Sequence, residues 1–328
     1  MVTGVGLFSG GLDSTLACMV IRDQGIDVKG ITFETPFFLA EKAKKAAQRI
    51  NLPLTVLDIT EEYIPLLKNP PNGYGKNLNP CIDCHAFMLK CAGDYMKQIG
   101  ADFLFTGEVL GERPKSQNRW ALSVVAKDSG YESLVVRPLS AQLLPTTKPE
   151  SAGLIDRSKL LAISGRGRKE QMRLATHYGI DEYETPAGGC LLTYSGYCSK
   201  LKDLFDHYPS ASLRHYSLLK NGRHFRLSSH TKLILGKDKS ENERLELEVQ
   251  PEDVFIYPQD TKGPVGIVTR NIDCYDTDEI LLAARIVARY CKQGEHEIEM
   301  IIRCQRHAVD TVITVDRMPQ EDVDRLRI

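Results

Sequence analysis

The segment Ser9-Gly10-Gly11-Leu12-Asp13-Ser14 stands between an apolar, strand-like run, Val5 to Phe8, and an amphipathic stretch that begins at Thr15. Adjacent glycines let backbone N–H groups approach a phosphate, and two serine hydroxyls can add hydrogen bonds. A helix that follows would aim its unpaired N–H groups and positive dipole end at the same anion. Strand, turn and helix in this order demand an α/β layout with an anion site at the carboxyl end of a strand. Read more plainly, SGGLDS is a Gly-rich strand-to-helix turn with a serine cap. No GxxxxGK[ST] occurs, so the ordinary P-loop that hands over a γ-phosphate is absent.

Alternation continues beyond the motif. Strand signals at Val5–Phe8, Val28–Phe33, Leu54–Ile59 and Phe103–Thr106 interleave with helical ones at Ser14–Gln24, Glu41–Ile50 and Phe87–Ile99. The pattern predicts a parallel sheet with helices on both faces and the ligand at the carboxyl ends of the strands. Ser9, Gly10, Gly11, Asp13, Ser14, Phe33, Thr106 and Gly107 fall on that edge and are the expected nucleotide contacts. A polar insert, Asn69 to Pro80, reads as an active-site loop. Ser158 to Tyr178 reads as helical and basic. From about Leu213 the chain turns to short β-type runs, then a helix at Asp278–Lys292 and a strand at Glu297–Arg303, as in a smaller α+β domain. The boundary is expected near His207–Ser212. Three regions result: 1–160 with the anion motif, 161–208 completing the active site, and 209–328.

With 328 residues, 42% apolar and 26% charged, the chain can build two cores. A net charge of -1 excludes a generally polycationic nucleic-acid coat and leaves room for local basic patches. The apolar start lacks a basic n-region and carries Asp13, which argues against a signal peptide. No stretch approaches a membrane span, so the expectation is a cytoplasmic protein with no membrane partner. Nine cysteines in a reducing compartment are not a disulfide framework, and some should be ligands or reactive thiols.

Cys81-Ile82-Asp83-Cys84 is a CxxC at the mouth of a helix, and Cys190 follows Gly188-Gly189. Three thiolates suit a [4Fe–4S] cluster that leaves one iron open. A closed Zn2+ site would want a fourth ligand, from His85, Cys91 or Cys198. A redox dithiol or a persulfide relay uses the same CxxC. Cys18, Cys274, Cys291 and Cys304 sit in apolar or strand-like surroundings and read as core.

SGGLDS, Asn79-Pro80-Cys81-Ile82-Asp83-Cys84-His85 and Gly189-Cys190 together resemble the tRNA uridine thiolases, over roughly residues 1 to 200. These are PP-loop ATP pyrophosphatases of the 2-thiouridylase (MnmA-like) and 4-thiouridine synthase (ThiI-like) groups. The resemblance implies an adenine nucleotide α-hydrolase-like fold and an enzyme that adenylates a uridine carbonyl oxygen with ATP and Mg2+, after which sulfur displaces AMP. Asp13, Cys84 and Cys190 would be the catalytic residues, with Asp13 near Mg2+. Cys81 departs from the persulfide-type enzymes, which carry aspartate there, and moves the expectation to cluster-dependent thiolases holding iron through Cys81, Cys84 and Cys190. The sulfur donor would be sulfide or a cysteine desulfurase persulfide.

Thr106-Gly107-Glu108 differs from the TGH of many 2-thiouridylases, and Ser116-Gln117 is closer to the 4-thiouridine group. The thiolation type expected is 2-thiouridine, with 4-thiouridine or a zinc-containing deazapurine (7-cyano-7-deazaguanine) synthase as the alternative. Residues 213 to 328 are similar to the NFACT-R type of RNA-associated module. Arg214, Lys220, Arg223, Arg226, Lys232, Lys237 and Lys239 would then form a basic strip for tRNA phosphates, or else a solvated face neutralised by Glu241, Glu243, Glu246 and Glu248. Arg166, Arg168 and Lys169 are the better tRNA contacts expected. Whether the chain forms a homodimer stays open.

Overall fold

A computed structural model describes residues 1–183, 190–270, 276–292, 297–304 and 309–328. Thr185 to Gly189 of the expected cysteine loop, and Cys274, lie outside the described residues. The chain divides into two units, Met1–Thr193 and Tyr194–Ile328.

In the first unit the order is β1 (Thr3–Leu7), α1 (Leu12–Arg22), β2 (Asp27–Glu34), α2 (Glu41–Arg49), β3 (Leu54–Asp58), α3 (Thr60–Lys68), α4 (Cys81–Gln98), β4 (Phe103–Thr106), α5 (Arg119–Asp128), β5 (Val135–Val136), α6 (Lys148–Ser151) and α7 (Lys169–His177). All five strands are parallel, in the order β3-β2-β1-β4-β5. The order reverses between β1 and β4, and loops after strands flanking such a reversal form the crevice where open α/β sheets bind ligands. SGGLDS follows β1 and Thr106-Gly107-Glu108 follows β4, so both motifs lie on that crevice.

Sequence explains why these two strands fit so closely. Gly4 and Gly6 pair with Phe103 and Phe105 in register. A Cβ on either glycine would meet the opposing ring, at 2.6 Å for Gly4 and 2.4 Å for Gly6, so the rings occupy the space that the missing side chains leave. Phe103 and Phe105 then join Phe8, Leu12, Leu16 and Ile21 in one buried core.

Two expectations need correction. The helix read over Ser158–Tyr178 is a single 3-10 turn, Arg157–Lys159, then irregular chain, then α7. Gly165 takes φ +81, a left-handed conformation that breaks a helix. In the other direction α4 begins at Cys81 rather than Phe87, so the CxxC occupies its first turn.

The second unit contains α8 (Ser195–His207), α9 (Leu213–Leu218), β6 (Arg223–Arg226), β7 (Thr231–Leu235), α10 (Lys239–Glu248), β8 (Val254–Pro258), β9 (Gly266–Arg270), α11 (Thr277–Arg289), β10 (Glu297–Cys304), β11 (Val309–Asp316) and α12 (Gln320–Leu326). Helix α8 goes with this unit, ahead of the boundary that composition pointed to. The strands form one antiparallel sheet, β11-β10-β8-β9-β7-β6. Ala283, Ile286 and Val287 of α11 belong to one core with Leu233, Ile256 and Val268, and Leu218 and Leu245 from α9 and α10 to another with Ile234 and Ile267. Among the described residues no helix is long and apolar enough to cross a membrane.

Folding withdraws three cations, Arg214, Arg226 and Lys232, from the expected basic strip. Arg226 and Lys232 both close on Asp203 of α8, at 2.6 and 2.7 Å, and Arg214 pairs with buried Asp253. These cations are consumed in ion pairs at the base of the sheet, which a reading of charge along the chain could not foresee. Asp203→Ala would leave two cations buried without their carboxylate and should cost about 3–5 kcal/mol. Urea unfolding followed by a probe in the second unit checks this.

Candidate active site

The SGGLDS loop is built by two close backbone approaches. Gly10 takes φ +78, and a Cβ there would meet the Lys42 carbonyl oxygen at 2.7 Å and the Ala43 backbone at 2.8 Å. Gly107 meets the loop from the other side, where a Cβ would lie 2.5 Å from the Ser14 nitrogen. The turn after β4 is therefore in backbone contact with the first turn of α1. Gly11 is the N-cap of α1 and supplies no side-chain cap, so the first N–H groups of the helix stay open to an anion. Ser14 Oγ donates to the Gly11 carbonyl (2.9 Å) and Ser9 Oγ to Ser14 Oγ (3.3 Å), which holds both hydroxyls at the mouth. Phe33 is buried near the end of β2.

Asp13 faces Arg168 at 3.8 Å. Burial raises the Asp13 pKa, and the guanidinium opposes that rise. The Gln171 side chain, fully buried, lies close enough to Asp13 to oppose the same rise. Arg168 Nε is buried without a hydrogen-bond partner, which suits a site prepared for a polar, charged ligand. Arg168, expected to contact RNA, thus turns inward beside Asp13 because α7 packs on α1. Arg166 and Lys169 remain exposed.

Between this loop and the cysteines lies Glu108, buried and fully engaged. Its carboxylate accepts from Thr106 Oγ1 (3.1 Å) and Arg137 Nε (2.9 Å) and contacts His85 Nδ1 (3.0 Å). Burial alone would raise its pKa, but the Arg137 guanidinium and His85 bring it down to about 2. His85, weighed as a fourth metal ligand, spends Nδ1 on Glu108.

The polar insert organises the thiols. Asp83 accepts from the Asn72 backbone N–H (3.1 Å) and its side-chain amide (2.8 Å), which fastens the insert to α4. Asn79 Nδ2 donates to Cys81 Sγ (3.1 Å), and Asn77 Nδ2 donates to the Thr193 carbonyl (2.7 Å). Leu191 N–H reaches the Phe37 carbonyl (3.2 Å), so the Cys190 segment is held from two sides. Cys84 is pushed up to about 12, first by burial and then by the charges of Cys190 and Cys81, with Tyr63 opposing. The Tyr63 hydroxyl is buried beside the Cys84 thiol, and burial first, then the charges of Cys84, Cys190 and Cys81, raise its pKa. Among the described residues no three His, Cys, Asp or Glu side chains are placed to hold a single metal ion. Cys91 is half-buried on α4, while Cys198 is buried on α8 of the second unit.

Residues 2–142 match the family model described as thiamine biosynthesis protein (ThiI), and residues 222–327 match the NFACT protein RNA binding domain. The N-terminal domain is of the ThiI type and the C-terminal domain of the NFACT-R type. A tRNA-specific 2-thiouridylase MnmA of Clostridioides difficile is 27% identical over 219 residues, which is 59% of this chain and 56% of that protein. Its counterpart in Clostridium acetobutylicum is 32% identical over 126 residues, 30% of this chain and 33% of that protein. A 4-thiouridine synthetase in complex with RNA and ATP aligns at 19% identity and a TM-score of 0.36, over 55% of this chain and 52% of its own. The chain spans about half the length, or less, of the curated relatives it matches. Cys190 lies beyond the ThiI-type match.

Because the folded pKa of Glu108 is depressed, its stabilisation is complete above the unfolded carboxylate value of about 4.3 and is lost as pH falls toward about 2. Glu108→Gln should lower the urea midpoint at neutral pH and flatten its decline between about pH 5 and pH 2. Equilibrium unfolding across that range tests it.

Proposed function

We propose that the chain is an ATP-dependent tRNA uridine thiolase of the 2-thiouridine type. The observation that carries this reading is the turn Thr106-Gly107-Glu108, which meets the SGGLDS loop through the Gly107 backbone and α4 through the contact of Glu108 with His85. Adenylation and sulfur delivery must share one substrate atom, so an anion loop and a thiol cluster fixed to each other are what the chemistry requires.

Ser9, Ser14 and the open N–H groups of α1 bind the pyrophosphate of ATP, with Asp13 beside Mg2+. The uridine carbonyl oxygen attacks the α-phosphorus, and pyrophosphate leaves. Sulfide then adds at the activated carbon, the C–O bond breaks, AMP departs and a proton goes to water. Cys81, Cys84 and Cys190 would hold a [4Fe–4S] cluster, whose iron takes soft thiolate donors. When bound, such a cluster supplies an open iron for sulfide. Exposed Arg166 and Lys169 are left to contact tRNA phosphates in the cytoplasm.

Nucleoside mass spectrometry of tRNA from a strain lacking the protein should show one thiouridine missing; an unchanged thionucleoside profile defeats the reading, and loss of 4-thiouridine instead moves the target carbonyl. Asp13→Asn should reduce tRNA-dependent pyrophosphate release by about 10²–10³. Cys190→Ala should retain ATP binding and lose thiolation. Anaerobic purification should give about four irons per chain.

A further inference from the structure

Folding divides the cations of the second unit into two sets. Arg214, Arg226 and Lys232 go into buried ion pairs. Arg223, Lys237 and Lys239 instead line a cavity of about 700 Å³, where Lys262 and Lys292 join them from distant parts of the chain. Its volume is that of a small-molecule or nucleotide site. Among the described residues Asp238 is the one acid in the lining, and its carboxylate already accepts from the Glu241 N–H at 2.9 Å. Lys237 and Lys239 have partial ion pairs on α10, at 3.8 and 3.7 Å. Lys262 and Lys292 are exposed and have no ion pair among the described residues. The rings of Tyr257 and Tyr290 complete the wall, each with one face under a guanidinium, Tyr290 under Arg223 at 4.8 Å and Tyr257 under Arg303 at 5.2 Å.

We propose that this cavity binds one nucleotide of single-stranded RNA, its phosphates held by Lys262, Lys292 and Lys237 and its base laid against the tyrosine wall. Five cations against one satisfied acid select a polyanion, and aromatic rings beside them select a base that is free to leave its stack. Duplex RNA would satisfy the lysines and leave the rings unused, because its bases are not splayed. The site rests on the reading of RNA as substrate, and adds to it where the second unit grips the strand.

The test uses the full chain without ATP. Fluorescence anisotropy is measured with a single-stranded RNA of about 12 nucleotides, the same sequence as a duplex, and inorganic phosphate as competitor. The double variant Lys262→Ala/Lys292→Ala should bind the single strand about tenfold more weakly, with a salt slope shallower by about 1.4, at about 0.7 per lost phosphate contact. Both side chains lie at the surface, so folding should be unaffected, and circular dichroism verifies this. Single-strand binding equal to that of the unmodified chain, or tighter binding of the duplex, overturns the proposal. A cavity that holds free phosphate while the variant keeps its RNA affinity also overturns it. Failure of the thiolase reading is separately visible, because it would leave this binding intact and the thionucleosides of tRNA unchanged.

Discussion

A buried carboxylate is expensive unless its charge is answered, and Glu108 is answered three times: by Thr106, His85 and Arg137. Each partner belongs to a different part of the first unit: the end of β4, the start of the second turn of α4, and the chain after β5. Arg137 also donates to the Leu122 carbonyl of α5 at 2.9 Å. Removing any one partner leaves charge in a dry place, so the segments hold their relative positions together or not at all. The SGGLDS loop depends on this arrangement through Gly107, whose backbone rests on Ser14 and Asp13. The thiols depend on it through His85, the neighbour of Cys84.

The sheet was largely legible in the sequence because parallel strands buried on both faces are nearly continuous apolar runs, and β1 to β4 match those runs closely. Helix ends were less legible. Cys81-Ile82-Asp83-Cys84 reads as the mouth of a helix, and the structure takes it as the first turn itself, where Asp83 suits the positive helix end and is fastened by Asn72. The segment Ser158–Tyr178 is rich in helix formers, and the glycines at 165 and 167 outweigh them.

Residue types at the site could be read from the motifs, while their directions could not. Arg168 and Lys169 are adjacent cations, yet one faces Asp13 and the other water, a difference set by how α7 packs on α1. Tyr63 and Arg137 gave no signal, because an aromatic in a helix and an arginine before proline are ordinary in isolation. The buried acid in Thr106-Gly107-Glu108 was a signal available to be followed: a glutamate at the end of an apolar strand needs partners. In the second unit the seven cations of the expected strip divide by depth, and depth is not written along the chain.

The hydrogen bond from Asn77 to Thr193 joins residues 116 positions apart. Closing so long a loop carries a large entropic cost until the intervening sheet has already brought its ends near. The Cys190 segment should therefore settle only after the strands have paired. A nascent or partly unfolded chain would then form the SGGLDS turn, which is local in sequence, before the segment that carries Cys190 is fastened to the polar insert that reaches Cys81.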